Sequence, residues 1–450
     1  MMPLSCRDIA RAVGGTLLQT VQDPCTGVTT DSRTVAAGQL FIPLRGEKFD
    51  GHAYVPAALS AGAWGVLTAE TPAQMQPGKC YIRVEDTLLA LRALGSWYRD
   101  KFSIPMVQIT GSAGKTTTKE MVAAVLARHF TTLRTQGNLN NHIGAPLTLL
   151  QLEPRHQAAV IETGMNHFGE IRYLGQMVRP TVALITNVGD AHIENMGGTR
   201  QGTLRAKCEI FENLQPGGLA VLNGDDPLLQ GVQVPYPTVL CGLGENCQVR
   251  VSAVEERGIE GVDCTVTTPK DTYRLHIPSP GGYMIYPAAM AIAVGEHLGL
   301  TREEMIRGVA AYRPVGSRMR LIRCSQERLI IDDCYNANPQ AMAEALRILA
   351  QTKSPRRAAV LGDMGELGDL TVRAHREVGA LAAELGLDAV FAIGSKARDI
   401  QAACPGASWY PDKETALPDI VKDFTPGTAL LVKASHAMDF GKLVKELEKA

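Results

Sequence analysis

The sequence predicts an α/β protein of three domains, and three observations support this. Its 450 residues allow about three domains at roughly 150 residues each. An apolar run, a glycine-rich turn and a helical pattern follow one another over residues 106–126. Apolar runs of strand length then alternate with helical patterns to residue 450. We therefore expect domains over residues 1–86, 87–313 and 314–450.

The composition is that of an ordinary soluble protein. A formal net charge of -1 favours neither nucleic acid nor an anionic membrane surface as a partner. No apolar run reaches the roughly 20 residues that cross a bilayer, and residues 1–8 lack the layout of a signal peptide. The ten cysteines are scattered without a C-x-x-C pair, which indicates reduced thiols. We expect a cytoplasmic protein without membrane insertion.

Residues 1–86 predict a small domain of mixed α/β structure. The runs 39–44 and 65–68 are typical of strands, and residues 55–62 are typical of a short helix that ends at glycine. A helical segment over residues 87–101 then leads into the central domain.

The turn at residues 111–116 predicts a phosphate-binding loop. It follows the apolar run 106–109 and precedes the helical run 117–126. Glycines let backbone N–H groups approach phosphate oxygens, and the dipole of the following helix favours negative charge. In this pattern Lys115 reaches the terminal phosphates and the Thr116 hydroxyl can bind Mg²⁺. A chance glycine turn is the alternative, which the complete strand–loop–helix context disfavours.

Polar residues follow two of the next strand-like runs, 158–162 and 182–186, and a third run covers 218–222. Ligands bind at the carboxyl ends of parallel strands, so Glu162 and His192 are candidates for a metal site together with Thr116. A cap or an ion pair is the alternative for Glu162 alone. Residues 205–211 predict one helix, on which Lys207 by itself would be an ordinary solvated lysine.

Asparagines are concentrated in two further segments. Residues 137–146 form an Asn-rich turn before a helical run over 147–152, and these amides could cap the helix or bind a polar substrate. Residues 332–339 follow a strand-like run and again offer carboxylates and amides, although turn chemistry alone could explain them.

The last 137 residues predict an open, doubly wound, Rossmann-like sheet. Strand-like runs at 329–332, 358–361, 389–393 and 429–433 alternate with helical patterns at 340–351 and 373–385. For the central domain, the phosphate loop and the buried strand-like runs predict an ATPase-like fold with a mostly parallel sheet.

An ordered series of motifs resembles the Mur ligase family over roughly residues 25–440. The motifs lie at residues 30–33, 45–52, 111–116, 137–141, 162–164, 187–192, 206–210, 317–319, 333–339 and 362–368. The last two resemble the family member that adds D-Ala-D-Ala. The resemblance implies an ADP-forming amide ligase of peptidoglycan precursor synthesis, in which ATP converts the carboxylate of UDP-MurNAc-tripeptide into an acyl phosphate that the amine of D-Ala-D-Ala attacks.

The resemblance also implies roles for individual residues. It implies that ATP binds to the phosphate loop and to the third domain, which would close onto the central domain. It also implies that the site holds two Mg²⁺ ions and that Lys207 is carbamoylated. It assigns the uridine diphosphate to the first domain and the peptides to the asparagines. The residues that would bind ATP are Gly111, Ser112, Ala113, Gly114, Lys115, Thr116, Thr117, Arg318 and Asp333. The metal ligands would be Thr116, Glu162, His192 and Lys207, and the catalytic residues would be Lys115, His192, Lys207 and Arg318. The residues that would bind the substrates are Ser32, Arg33, His52, Asn138, Asn141, Asn336 and Asn338. We expect a monomer.

The sequence departs from the family at the adenine site. Met284 and Pro287 stand where the family usually has two asparagines that help to hold adenine, so the base would be held through Tyr286 or backbone groups, or held more weakly. Two alternatives to the ligase follow from the residues. One is a related ATP-dependent amino-acid ligase, and the other is a nucleotide-binding scaffold that has lost catalysis.

Overall fold

The computed structural model describes residues 1–46, 49–190, 193–365 and 367–449. The chain forms two compact units. The first consists of Met1–Val251, Thr267–Asp271 and Tyr286–Gly308, and the second of Ser252–Val266, Thr272–Ile285 and Val309–Ala450. Three sheets carry the strands, which confirms the α/β class. The boundaries expected at residues 86 and 313 stay predictions.

The first sheet lies in the N-terminal part of the first unit. Its strand order is β1-β5-β4-β3-β2, with β1 antiparallel to β5 and the other neighbours parallel. The elements are β1 (Thr16–Gln19), β2 (Gly27–Thr29), β3 (Gln39–Phe41), β4 (Gly65–Thr68), β5 (Cys80–Arg83), α1 (Cys6–Val13) and α2 (Val55–Ser60).

The second sheet positions the phosphate loop. Six strands of this sheet follow the order β7-β8-β6-β9-β10-β11 and are parallel to one another, which agrees with the mostly parallel sheet that the sequence predicts. The strands are β6 (Met106–Thr110), β7 (Thr132–Arg134), β8 (Ala158–Glu162), β9 (Val182–Ile185), β10 (Leu219–Asn223) and β11 (Thr238–Gly242). The helices are α3 (Thr87–Arg99), α4 (Lys115–Leu126), α5 (Gly144–Leu149), α6 (Glu170–Val178), α7 (Arg200–Cys208) and α8 (Pro227–Gln230).

A side chain caps the start of helix α3, and a hydrogen bond joins its last residue to the end of α6. The Asp86 carboxylate accepts the N–H groups of Leu88 and Leu89 at 2.7 and 2.9 Å, a typical N-cap. Near the other end of α3, the buried Arg99 guanidinium donates to the Val178 carbonyl at the end of α6 at 2.9 Å. Since Arg99 pairs with backbone carbonyls rather than a carboxylate, burial lowers its pKa to about 10.

The single helix expected over residues 205–211 is wrong. Helix α7 ends at Cys208, and the chain tightens into a 3₁₀ helix over Glu209–Asn213. The reason lies in the Glu209 carboxylate, which accepts the N–H groups of Gly169 and Arg172 and so fixes this turn against the start of α6. Helices often tighten in this way at their last turn.

Three strands and two helices follow β11. They are β12 (Val249–Glu256), which is parallel to β11 at its start, β13 (Val262–Thr267), β14 (Thr272–Ile277), α9 (Ile285–His297) and α10 (Arg302–Ala310). Buried and more exposed residues alternate along β13 and β14, so one face of each strand is buried.

The third sheet lies in the second unit and is doubly wound. Its order is β15-β16-β20-β17-β18-β19, with an antiparallel edge strand β15 and parallel neighbours elsewhere. The elements are β15 (Arg320–Arg323), β16 (Leu329–Asp332), β17 (Arg356–Gly362), β18 (Ala389–Ile393), β19 (Ser408–Tyr410), β20 (Thr428–Lys433), α11 (Pro339–Gln351), α12 (Thr371–Glu384), α13 (Arg398–Ala403), α14 (Lys413–Asp423) and α15 (Phe440–Leu447). Consecutive residues Ile330 and Ile331 belong to two separate apolar clusters, so both faces of the sheet are covered.

In the part of the chain that the structure describes, no helix is both long and apolar enough to cross a membrane.

Candidate functional site

The phosphate loop joins the end of β6 to the start of α4. Gly114 has a φ of 75°, and no side chain among the described residues caps the helix that it precedes. The first N–H groups of α4 are therefore available to an anion, which the helix dipole favours. The Lys115 ammonium donates to the Gly111 carbonyl at 2.8 Å, so the lysine is folded back onto its own loop.

Residues after β9 hold the loop in shape. The Asn187 side chain accepts the Ala113 N–H at 2.8 Å, and its backbone carbonyl accepts the Ser112 N–H at 3.1 Å. The Thr186 hydroxyl donates to the Ala113 carbonyl at 2.6 Å. A Cβ at Gly111 would overlap this Thr186 hydroxyl, which explains the glycine. The sequence reasoning missed Asn187 and Thr186 as loop supports.

Glu162 lies under the loop, beside Thr116 as predicted. Its Oε1 accepts the Thr116 hydroxyl at 3.2 Å and the Asn140 amide at 2.9 Å. Its Oε2 is buried and has no hydrogen-bond partner in the described ranges. The Lys119 ammonium lies 3.8 Å from Oε2, which is too long for a hydrogen bond, and it donates to the Thr135 carbonyl at 2.7 Å instead.

A buried carboxylate oxygen that accepts no hydrogen bond from the described residues, next to a threonine hydroxyl, fits a small divalent cation, because Mg²⁺ prefers oxygen ligands. Within residues 1–46, 49–190, 193–365 and 367–449, no three His, Cys, Asp or Glu side chains are grouped closely enough to hold a metal by themselves. The predicted ligand His192 lies outside the described residues.

Lys207 is not the solvated lysine that its helical position alone would suggest. Its side chain is buried in α7, with 3% of the residue exposed. Burial, and then the positive charge of Lys115, lower its pKa to about 7. A lysine with this pKa is about half uncharged amine at pH 7, whereas a solvated lysine is almost fully protonated there, and the uncharged amine is the form that can react with CO₂.

A cavity of about 610 Å³ brings several of these groups together. Both lysines, Lys115 and Lys207, line it, and so does the predicted Asn141, whereas Asn138 is exposed and lies outside it. The Asn141 side chain also accepts the N–H groups of Ile143 and Gly144, which fixes the start of α5. The lining residues are Leu88, Arg92, Gly111, Ser112, Lys115, Asn140, Asn141, His142, Gly164, Met165, Asn166, Phe168, Gly169, Glu170, Tyr173, Leu174 and Lys207.

Two of the candidate uridine diphosphate residues, Arg33 and His52, are held by neighbouring carboxylates. Asp31 accepts the Arg33 backbone N–H and guanidinium, and these bonds lower the pKa of Asp31 to about 2. The Arg33 side chain is 86% exposed. Both ring nitrogens of His52 have protein partners, Asp50 at 2.6 Å and the Ala69 N–H at 3.1 Å, so His52 has a structural role in this loop. Ser32 is half-buried in the same turn.

The candidate residues of the second unit surround a buried ion pair. Asp333 pairs with Lys433, which also donates to the Asn336 carbonyl at 3.1 Å. Burial raises the pKa of Asp333, while Lys433 opposes this rise. The Arg318 guanidinium lies 3.7 Å above the ring of Tyr335.

The asparagines near this ion pair have local roles. The Asn338 side chain caps α11 by accepting the Ala341 N–H at 2.9 Å, which is the turn chemistry that the sequence left open. The Asn336 side-chain oxygen accepts the Ala337 N–H at 2.9 Å.

The residues at the start of α9 do not provide the two side-chain amides that usually help to hold adenine in the family. Met284 is buried. Tyr286 forms a hydrogen bond with Asp225, and burial together with this carboxylate raises the pKa of Tyr286 to about 12. Asp225 also accepts the N–H groups of Leu243 and Gly244 at 2.7 and 2.8 Å, so a tyrosine–carboxylate pair lies at this position of the first unit.

Comparison with known proteins places three family models in order along the chain. The model described as "Mur ligase family, catalytic domain" matches residues 24–128, "Mur ligase middle domain" matches 109–295, and "Mur ligase, glutamate ligase domain" matches 317–436. These matches confirm the predicted architecture of three domains.

Several relatives are similar over nearly their whole length. The UDP-N-acetylmuramoyl-tripeptide–D-alanyl-D-alanine ligase of Bacillus subtilis is 35% identical, covering 99% of each chain. The structure of the UDP-N-acetylmuramoylalanyl-D-glutamyl-2,6-diaminopimelate–D-alanyl-D-alanyl ligase from Acinetobacter baumannii superimposes with a TM-score of 0.92 at 30% identity, covering 100% of this chain and 99% of that one. A MurF ligase from Thermotoga maritima in complex with ADP gives 0.80 at 27% identity, covering 94% and 97%.

Proposed function

Because the chain belongs to the Mur ligase family, we propose that it joins D-Ala-D-Ala to UDP-MurNAc-tripeptide at the expense of ATP. The observation that carries the proposal is a single cavity that holds the phosphate-loop lysine, Lys115, and the buried amine of Lys207. A relative of the same length with this named activity supports the choice of substrates. The product would be the UDP-MurNAc-pentapeptide precursor of peptidoglycan, made by a cytoplasmic monomer.

The first chemical step is phosphoryl transfer. A carboxylate oxygen of the tripeptide attacks the γ-phosphorus of ATP, the bond to the bridging oxygen breaks, and ADP leaves. Lys115 exchanges the Gly111 carbonyl for the β- and γ-phosphates, and the N–H groups of the loop and of Thr117 surround them. Positioning and charge neutralisation account for most of the rate of such transfers.

The second step forms the amide bond. The dipeptide amine attacks the acyl carbon, phosphate leaves, and the amine loses a proton. Arg318 and Asp333 would contact ATP, Ser32 and Arg33 the uridine diphosphate, and Asn138, Asn141, Asn336 and Asn338 the peptides. His52 would position the uridine diphosphate loop.

Thr116 and Glu162 would hold one Mg²⁺, because Glu162 Oε2 accepts no hydrogen bond from the described residues and its nearest ammonium group, that of Lys119, is 3.8 Å away. His192 and a carbamate on Lys207 would hold a second. When bound, these ions neutralise charge on the phosphates. Loss of a proton near pH 7 makes Lys207 reactive toward CO₂. The neutral nitrogen would form a bond to the carbon of CO₂ and release a second proton to solvent, which leaves a carbamate with an anionic oxygen ligand.

The test measures phosphate release with UDP-MurNAc-tripeptide, D-Ala-D-Ala and Mg-ATP, with product mass as confirmation and omission of the dipeptide as control. Release that depends on the dipeptide supports the proposal. Release with another amino acid only would identify a related ligase, and no release with any acceptor would identify a scaffold. Release with GTP but not ATP would show that the Tyr286 region binds a different base.

The role of Lys207 has its own experiment. Lys207→Ala should lose activity and regain part of it when a short-chain carboxylate is added, because the carboxylate replaces the carbamate oxygens. Lys422→Ala, on an exposed position of α14, is the matched control and should change neither activity nor its response to carboxylate. A fully active Lys207→Ala would show that the carbamate assignment is wrong.

A further inference from the structure

A buried lysine lies beside the carboxylate that would hold Mg²⁺. Lys119 follows the phosphate loop by one turn of α4, and its side chain is fully buried. Its ammonium group donates to the Thr135 carbonyl at 2.7 Å and lies 3.0 Å from Glu120 Oε1. The distance from the same ammonium to Glu162 Oε2 is 3.8 Å, which is an ion-pair distance and too long for a hydrogen bond. A positive charge is therefore held next to Glu162 without covering the oxygen that a metal would use.

Contacts on two sides fix the position of this ammonium group. Thr135 is fully buried, and its hydroxyl accepts the Glu162 N–H at 3.0 Å, so one residue binds both Lys119 and the backbone of the metal ligand. Glu120 is held in turn, because its Oε2 lies 2.7 Å from Arg134 Nε. Movement of the ammonium away from Glu162 would break these contacts, and a buried ammonium without partners is unfavourable.

The charges of this cluster balance when no metal is bound. Lys119 and Arg134 supply two positive charges, and Glu120 and Glu162 supply two negative charges. A divalent cation on Glu162 would add two positive charges a few ångströms from the fixed ammonium. Since like charges repel more strongly where water is excluded, the bare ion is disfavoured at this place. A nucleotide triphosphate reverses this effect, because its complex with Mg²⁺ carries a net negative charge.

We propose that Lys119 is a resident counter-ion of the metal site. It balances the charge of Glu162 when no metal is bound, and it favours Mg²⁺ that arrives with a nucleotide triphosphate over the bare ion. Lys119 is a positioning residue, since it acts through Glu162 and not on the substrates. The inference rests on the proposed function, because it concerns the same metal site. This role differs from that of Lys115, which would contact the phosphates directly.

A purely structural role for Lys119 predicts a different result. A lysine that only joined α4 to the residue after β7 would, when replaced, loosen the site and weaken the binding of every ligand. A counter-ion that opposes the bare metal predicts tighter binding of that metal when its charge is removed. The two roles are therefore distinguished by the sign of the change in metal affinity.

The experiment measures binding of Mn²⁺ alone by EPR at constant ionic strength, since Mn²⁺ shares the preference of Mg²⁺ for oxygen ligands. Lys119→Met should bind the bare ion at least about tenfold more tightly than the wild type. Adding Glu162→Gln to this variant should remove the gain, which assigns the gain to this site. Lys101→Met is the matched control; it removes the same charge from an exposed position of the same unit and should leave the Mn²⁺ affinity unchanged.

A second titration uses the Mn²⁺ complex of a non-hydrolysable ATP analogue. Lys119→Met should bind this complex no more tightly than the wild type, because the complex carries a net negative charge that the ammonium attracts. An equal gain for the bare ion and for the complex would refute the proposal. So would a bare-ion affinity that is unchanged or lower in Lys119→Met.

Glu120→Gln tests the same idea with the lysine in place, and it decides the question if Lys119→Met does not fold. The change removes an anion 3.0 Å from the ammonium, so bare Mn²⁺ should bind roughly threefold more weakly. Unchanged or tighter binding would contradict the counter-ion role. Parallel turnover assays keep the two questions apart, because absent ligation contradicts the proposed function while the metal affinities are measured without turnover.

Discussion

Replacing Lys207 by methionine should stabilise the ligand-free protein at neutral pH. The lysine is buried and its pKa falls from 10.5 to about 7 on folding, mainly through desolvation. The unfolded chain therefore binds more protons than the folded one between pH 7 and 10.5, and the stability of the wild type rises with pH across this window. Methionine fills a similar volume and has no proton to lose. Its advantage is about 4 kcal/mol at pH 7 and about 1 kcal/mol at pH 10.

The assay is urea unfolding followed by tryptophan fluorescence, in buffer without Mg²⁺, nucleotide or CO₂. Trp64 and Trp97 lie in the first unit with Lys207, so a Trp409→Phe background limits the signal to that unit. Lys422→Met is the control, and its stability should stay within about 0.5 kcal/mol of the parent at every pH.

A difference between variant and wild type that does not change with pH would refute the reasoning, and so would a less stable variant. Added bicarbonate supplies a second check. It should stabilise the wild type and not the Lys207→Met variant, because only the lysine can form a carbamate, and a ligand that reacts with the folded state stabilises it.

Three further predictions concern other parts of the molecule. Lys433→Met should destabilise the second unit by about 3–5 kcal/mol in chemical denaturation because it leaves Asp333 buried without its cation, and adding Asp333→Asn should recover most of this loss. Lys115→Ala should lower kcat/KM in an ADP-release assay about 10³-fold, since the lysine would stabilise the transferring phosphate, and a near-normal rate would contradict that role. Gly111→Ala should weaken ATP binding because its Cβ would overlap the Thr186 hydroxyl, and Thr186→Ala in the same chain should restore part of the affinity, as measured by nucleotide titration.

The sequence predicted the parts of the site that depend on local order along the chain. A strand, a glycine turn and a helix define the loop, and the rule that ligands lie at strand ends placed Glu162 beside Thr116. Neighbouring strands β6 and β8 bring these residues together, so the strand topology alone was sufficient to predict that Glu162 lies beside Thr116.

Residues whose roles depend on tertiary contacts could not be found in this way. Asn187 supports the loop through two bonds to residues more than 70 positions away, and Lys433 neutralises Asp333 across 100 positions. The low pKa of Lys207 results from burial, which a helical pattern does not reveal. Strand β14 has alternating apolar residues, so the continuous apolar runs that predict buried parallel strands do not reveal it.

The bond from Lys115 to the Gly111 carbonyl has a consequence for product release. Because the lysine already has an acceptor without nucleotide, the proposed contact with the phosphates would exchange one hydrogen bond for another and would gain little ground-state affinity. The same exchange runs in reverse once the γ-phosphate has left, since Lys115 can return to Gly111 as ADP departs. The return of Lys115 to Gly111 would thereby lower the free-energy cost of releasing ADP, so we expect ADP to be a weaker product inhibitor than it would be if Lys115 had no acceptor in its own loop.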